Sequence, residues 1–268
     1  MRVGLRISVA TARGAARAVP HLLALLARHG ATATFYADLG PDRWHRLLPG
    51  REVGDRAAAA LAMVRDAGCE AGVYGWDAAR WPQRTAPGDA PWIETALTRA
   101  CEAFERLAGE PPRTHAAPGW HSSRHALRLT QRLGFLYAAD TRGRHPYMPV
   151  CEAEPVLCPQ LPTSLPTLDE AAAQARQDDA HAPVLAASAA RPGEDLVFAL
   201  RAELGATSFA PAFERLLAAW RGENREVVAL RAIFETLEPA RLPRHVVLLR
   251  GAAAHAGPCA AQGDPFLA

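Results

Sequence analysis

"VGLRISVATARG", residues 3–14, is the stretch on which the reading of this chain turns. Val3, Leu5, Ile7 and Val9 alternate with Gly4, Arg6 and Ser8, the period-two pattern of a strand. Thr11-Ala12-Arg13-Gly14 then supplies a polar, glycine-ended exit. A strand whose C-terminal end opens into a loop is where α/β proteins keep their chemistry. Here that end offers Ser8 and Ala10, which bring little chemistry with them.

Outward from this strand, helical and strand patterns alternate. "AARAVPHLLALLARHG" (15–30) has helical spacing at Val19, Leu22, Leu23 and Leu26 and stops at Gly30. "TATFYA" (32–37) reads as a second strand, "DRAAAALAMVRDAG" (55–68) as a helix and "CEAGVYGW" (69–76) as a third strand. Residues 91–108 read as an amphipathic helix opened by a proline. "RTHAAPGW" and "FLYAADTRG" are short strands flanking the helix "SRHALRLTQRLG". "LVFALRAE", "FAPAFERLLAAWRG" and "REVVAL" continue the alternation as strand, helix and strand. Repeated strand–helix units with short connections predict a parallel, barrel-like α/β fold. Residues 144–170, rich in proline, are expected to wrap over one end of the barrel, and the tail after Pro239 to be irregular.

The 268 residues, 49% hydrophobic and 22% charged, suit one globular unit of barrel size and are too apolar for disorder. A formal charge of +2 gives no basis for nucleic-acid binding. All 30 cationic side chains are arginine; without lysine, Schiff-base and lysine-base mechanisms are excluded. Cys69, Cys101, Cys151, Cys158 and Cys259 form no CxxC pair, so buried or free thiols in a reducing cytoplasm are expected. The first strand starts within three residues of Met1, with no basic-then-apolar leader, and no apolar run has membrane-spanning length. The expectation is a cytoplasmic protein without an integral membrane segment, with room for peripheral contact at the inner membrane.

The order of these segments resembles the polysaccharide-deacetylase (NodB-homology) superfamily. Within it, the likeness is to the deformylases acting on 4-deoxy-4-formamido-L-arabinose linked to undecaprenyl phosphate. "VGLRISVATARG" resembles the first-strand motif, "EAGVYGWDAARW" the second, "AAPGWH" the third and "YAADTRG" the fourth. "LPTSLPTLDE" is similar to a substrate-side loop and "LVFALRAE" to the last catalytic strand. The resemblance implies a distorted (β/α)7 TIM-like barrel of the glycoside hydrolase/deacetylase type, a single domain over residues 1–240 with an irregular tail over 241–268. It also implies metal-assisted amide hydrolysis. A divalent ion such as zinc, manganese or cobalt is held by one Asp and two His, a second Asp is the base, and a late His protonates the leaving amine.

Carried over by position, this chain has Ser8 at the base, Ala10 at the metal-binding Asp, Tyr74 and Ala78 at the two histidines and Arg201 at the late histidine. Methyl and hydroxyl groups cannot replace a divalent ion's hydration shell. The expectation is therefore no intact catalytic set, no metal site and no cofactor. "HSSRH" offers His121 and His125 at i and i+4, a spacing that chelates when both lie on one helix face. No carboxylate is placed to complete such a set; His121 is expected at the pocket mouth and His125 on a helix surface.

Trp76, Asp77, Trp120, His121, Asp140, Arg142, Thr167, Arg201 and Glu203 are the expected ligand-pocket residues. Each has a plain structural alternative. Asp140 and Arg142 either support the pocket or pair with each other at a strand–loop junction. Thr167 either frames a sugar site or caps a helix. Trp76, Trp81 and Trp120 either stack on a pyranose or simply pack. Arg201 is expected to restore positive charge to the emptied pocket, pairing with Asp77, Asp140 or Glu203 or receiving a phosphate or carboxylate. The connection "LLPGREVGDR" (47–56) is shorter than the apolar insertion the family carries there, which weakens any carry-over of a polyprenyl substrate.

Three functions stay open at this stage. The first is a pseudoenzyme that binds a glycan or sugar-phosphate ligand, or a protein partner. The second is a hydrolase of N-formyl or N-acetyl sugar amides with relocated ligands such as His121, His115 or His145. The third is metal-free acyl transfer with Ser8 as nucleophile, for which no base is placed nearby.

Overall fold

The first strand, β1 (Arg2–Val9), is buried almost from end to end, as a strand covered on both faces must be. In the computed structural model, which describes residues 1–42, 51–52, 54–173, 175–251 and 258–267, the odd and even residues of β1 serve different layers. Val3, Leu5, Ile7 and Val9 join the core under the outer helices. Arg6 and Ser8 face inward, where Arg6 meets the rings of Tyr36, Tyr74 and Trp120.

After β1 come α1 (Val19–His29), β2 (Thr34–Asp38), β3 (Pro41–Asp42), β4 (Arg51–Glu52), α2 (Gly54–Asp66), β5 (Glu70–Gly75), α3 (Trp81–Thr85) and α4 (Ala90–Ala108). The middle of the chain gives β6 (Thr114–His115), α5 (Arg124–Arg132), β7 (Tyr137–Ala138), β8 (Met148–Cys151), β9 (Glu154–Pro155), α6 (Leu168–Ala172) and α7 (His181–Ala189). The last part gives β10 (Leu196–Arg201), α8 (Ala202–Gly205), α9 (Ala210–Gly222), β11 (Glu226–Val228), α10 (Leu230–Phe234), β12 (Arg244–Gly251) and β13 (Pro258–Pro265). Helix ends follow local chemistry. Asp89 caps α4 by accepting from Trp92 N at 3.3 Å, and α4 stops at Gly109 with φ 79°.

The main sheet runs β10-β1-β2-β5-β6-β7, with β11 beside the first residues of β1. Its strands are parallel, so their C-terminal ends open on one face, where the α/β rule places a site. The sheet curls into a half-barrel, a single α/β unit. Between β7 and β10 the chain crosses as an irregular segment: Leu161 N donates to Ala138 O at 2.8 Å, and Ser164 N and Leu165 N donate to Val197 O. The proline-rich region expected to wrap over the barrel end thus fills the gap in its wall. Prolines suit this segment, since they cannot donate into a regular ladder.

The residues read as an irregular tail are regular. β12 and β13 pair as an antiparallel hairpin, and β12 extends a second sheet in the order β13-β12-β8-β9. The short apolar run in "HVVLLRG" is a strand signal that the glycine- and alanine-rich surroundings obscure. Among the described residues no helix is long and apolar enough to cross a membrane. Half of the connection 47–56, residues 47–50 and 53, falls outside the described residues.

Candidate functional site

A cleft of about 630 Å³ opens at the C-terminal ends of β1, β2, β5 and β10. Ser8, Ala10, Tyr74, Ala78 and Arg201, scattered over nearly 200 positions in sequence, all line it. The parallel register does this. Ser8 is paired with Tyr36 of β2 on one side and Arg201 of β10 on the other, and side chains at paired positions face the same way.

The other four are placed differently. Ala10 is exposed at the strand exit. The Tyr74 hydroxyl accepts from Gly119 N at 3.2 Å. Ala78 N donates to Asp38 Oδ2 at 2.8 Å. Arg201 is well exposed and lies 3.4 Å from Asp169. Its partner is therefore not Asp77, Asp140 or Glu203: β10 carries the guanidinium to the cleft rim, where α6 presents Asp169. Together the five supply a hydroxyl, two methyls, a phenol and a guanidinium. That set does not fit a divalent ion, which needs anionic or imidazole donors. Among the described residues no three His, Cys, Asp or Glu are grouped to hold one.

Asp77, Trp120, His121 and Thr167 also line the cleft; Trp76, Asp140, Arg142 and Glu203 do not. Trp76 packs against the core beneath α4. Asp140 is buried below the floor, accepting from Ala117 N at 2.8 Å with His115 Nδ1 at the same distance. The paired Asp140–Arg142 alternative does not hold either, because Arg142 pairs with Glu170 at 3.1 Å. Glu203 accepts from Thr11 Oγ1 at 2.8 Å and Ala10 N at 3.2 Å, fastening the exit of β1. Thr167 forms a capping box with Glu170 at the start of α6. Trp81 is fully buried and donates from Nε1 to His121 O at 2.8 Å, so it packs.

The relocated histidines do not converge. His121 is extended and precedes α5, which starts only at Arg124, so His121 and His125 share no helix face. His125 lies 3.9 Å from Glu94 of α4. His115 stacks among Trp81 and Phe135 in the core. His145 sits against His245 in the second sheet.

Two cleft residues escaped the sequence reading. Arg6 is 3% exposed and lies over Tyr36, Tyr74 and Trp120, with Cζ 5.9, 5.9 and 5.0 Å from the ring centroids. Burial lowers its pKa, and the aromatic faces offset part of that cost. A charge at an inward position of an otherwise buried strand was the available signal. Asp38, at the end of β2, accepts from Gly40 N, Asp77 N and Ala78 N, yet burial still pushes its carboxyl up to about 7. Its loop is pressed onto the Asp77 turn: a Cβ on Gly40 would stand 2.4 Å from Asp77 N. Asp77 itself has φ 74° and Trp120 φ 58°, so two cleft residues hold the left-handed backbone that side chains disfavour.

No protein-family model matches the chain. A Shewanella sediminis (strain HAW-EB3) protein named as the 4-deoxy-4-formamido-L-arabinose-phosphoundecaprenol deformylase ArnD is 27% identical over 85% of this chain and 84% of its own. A solved Mycobacterium smegmatis structure, named as a polysaccharide deacetylase, superposes with TM-score 0.67 at 19% identity, covering 94% of this chain and 96% of its own. The chain resembles this deformylase in sequence and polysaccharide deacetylases in fold. Another structure with this fold is a mutant, with restored enzymatic activity, of a CE4 family pseudoenzyme from Bacillus anthracis. It superposes with TM-score 0.57 at 12% identity over 87% of this chain and 68% of its own.

Proposed function

We propose that this polysaccharide-deacetylase homologue uses its barrel cleft to bind a carbohydrate-type ligand and does not hydrolyse it. One observation carries the reading. The five positions that the resemblance assigns to base, metal ligands and acid all line one cleft, and none of them carries a group able to do that work. A hydrolytic water needs a metal or a base to deprotonate it. Ser8 has neither histidine nor carboxylate in a hydrogen bond to its hydroxyl among the described residues, which also speaks against its use as a nucleophile.

The second reading is hydrolysis of the C–N bond of an N-formyl or N-acetyl sugar, and it draws on the activity in the name of the Shewanella relative. It needs ligands assembled elsewhere, and His121 lines the cleft without His115 or His145 beside it.

The deciding experiment is metal content of the purified chain, paired with turnover of formamido- and acetamido-sugars under added zinc, manganese or cobalt. The proposal expects substoichiometric metal and no turnover. Stoichiometric metal with turnover abolished by His121→Ala overturns it. Combining Ser8→Asp, Ala10→Asp, Tyr74→His, Ala78→His and Arg201→His is expected to create metal binding, because the scaffold already brings these positions together.

A further inference from the structure

The charges lining the cleft are unevenly compensated. Asp38 is satisfied by three backbone N–H groups, Asp77 lies 3.8 Å from Arg80, and Asp169 pairs with Arg201. Arg6 differs. It is 3% exposed, its Nη2 donates to Ala117 O at 2.9 Å, and its Nε has no hydrogen-bond partner. Among the described residues no carboxylate comes within ion-pair distance of it. Asp140 acts on it only from further away and is already engaged by Ala117 N and His115.

A buried guanidinium without a paired anion is costly, and aromatic faces recover only part of the cost. A fixed guanidinium at the end of a cleft is also the group best suited to receive a carboxylate or phosphate. We propose that the cleft selects a sugar-sized ligand bearing an oxyanion, carboxylate or phosphate, and that Arg6 at its floor receives that group. Tyr74 supports the same site from the neighbouring strand, since its hydroxyl accepts from Gly119 N and keeps its own proton for a ligand oxygen. Arg201, exposed at the rim and paired with Asp169, adds attraction at the entrance and is not the receptor.

This inference rests on the reading of the cleft as a carbohydrate site and sharpens it, so the test must separate the two. Titration calorimetry of the purified full chain would compare glucuronate with glucuronamide, and glucose 1-phosphate with methyl glucoside. Within each pair the ring is kept and the charge removed. The expectation is that at least one anion binds about tenfold or more tightly than its neutral counterpart, the scale of a charge-assisted hydrogen bond. The two pairs distinguish a carboxylate from a phosphate. Neutral and charged sugars binding alike would overturn the role of Arg6 and leave the carbohydrate reading standing; no binding by any of the four would overturn both.

Arg6→Met, which retains the apolar stem between the rings, is expected to abolish the preference. Its survival in a folded Arg6→Met protein would overturn the assignment. Should that variant fail to fold, arginine side-chain NMR of the wild-type protein decides. The Arg6 Nε–H resonance must move with the anion and stay with its neutral partner.

Discussion

Arg6 and Arg142 both lie over the indole of Trp120, with guanidinium carbons 5.0 and 4.6 Å from the ring centroid. One arginine comes from the first strand and the other from the loop after β7, so a single ring joins the two sides of the barrel. The ring is further held by Nε1 donating to Thr163 Oγ1 at 3.0 Å. Trp120→Ala removes a buried aromatic and both cation–π contacts, with an expected cost of about 3–5 kcal/mol. Trp120→Phe keeps a π-face and should cost markedly less. Urea denaturation of the two variants measures the difference, and equal losses would show that the indole N–H or its full outline, rather than a π-face, holds the site.

Arg201 makes the opposite case. It is 58% exposed in its side chain and meets an Asp169 that is 45% exposed, so the pair contributes at most about 1 kcal/mol. Arg201→Ala is expected to leave the denaturation midpoint nearly unchanged. A large loss of stability would mean that the guanidinium is built into the fold rather than resting at the rim.

What the sequence made legible follows from what periodicity encodes. The alternation in residues 3–9 and the helix–strand rhythm carry the barrel, and the order of the motifs groups Ser8, Ala10, Tyr74, Ala78 and Arg201, which all line one cleft. Asp140, Arg142 and Glu203 sit in motifs too, but a motif does not say whether a side chain points into a cleft or under it. Asp140 and Arg142 point to backbone amides, Trp120 and Glu170, contacts fixed by packing at a distance in sequence. Arg6 was passed over because an alternating strand invites the reading that its polar residues face water; in a strand buried on both faces they face the interior. The C-terminal hairpin was missed because its second strand, "PCAAQGDP", has no β-branched or aromatic residue.

Asp38 gives the fold a pH dependence of definite sign. Its carboxyl rises from an ordinary 3.8 to about 7 through burial, against the pull of three backbone donors. Between pH 4 and 7 the folded chain therefore holds a proton that the unfolded chain has released, and stability falls as pH rises through this window. Asp38→Asn keeps an acceptor oxygen and removes the titration. Denaturation at several pH values should show the wild type losing stability relative to Asp38→Asn from pH 4 to 7, and parallel curves would remove Asp38 as the source.

Gly40 and Asp77 are locked together by backbone contact. A methyl at position 40 meets Asp77 N at 2.4 Å and Trp76 C at 3.0 Å, atoms that cannot swing aside as a side chain can. Gly40→Ala is expected to cost about 1–3 kcal/mol, the range for overpacking. Gly68→Ala is the comparison: its φ of 70° is unfavourable but nothing lies within 4 Å of the added carbon, so about 1 kcal/mol is expected. Thermal denaturation of both checks the ranking, and the reverse order would mean that the 40 and 77 loops separate readily.

The C-terminal hairpin packs behind two cleft residues, Trp120 and Ala199, which makes its removal informative. β12 lies parallel to β8 from Arg244 opposite Met148 to Val246 opposite Val150. β13 brackets the loop after β7, where Arg142 N donates to Ala260 O at 2.9 Å and Gln262 N donates to Arg142 O at 2.7 Å. Cys259 and Ala260 are buried, and Cys259 packs with Trp120 and Ala199 while its Sγ lies 3.3 Å from Gly119 O. A chain ending at residue 240 would lose these backbone bonds, at about 1 kcal/mol each, and would uncover the Trp120 face. A dispensable tail could be removed without effect; the hairpin described here predicts a chain that unfolds several degrees lower or collects in inclusion bodies. Tryptophan fluorescence separates local from global damage. Should the shortened chain fold, solvent entering beside Trp120 should shift its emission to the red, and an unchanged spectrum and melting temperature together would show that the hairpin does not cover Trp120.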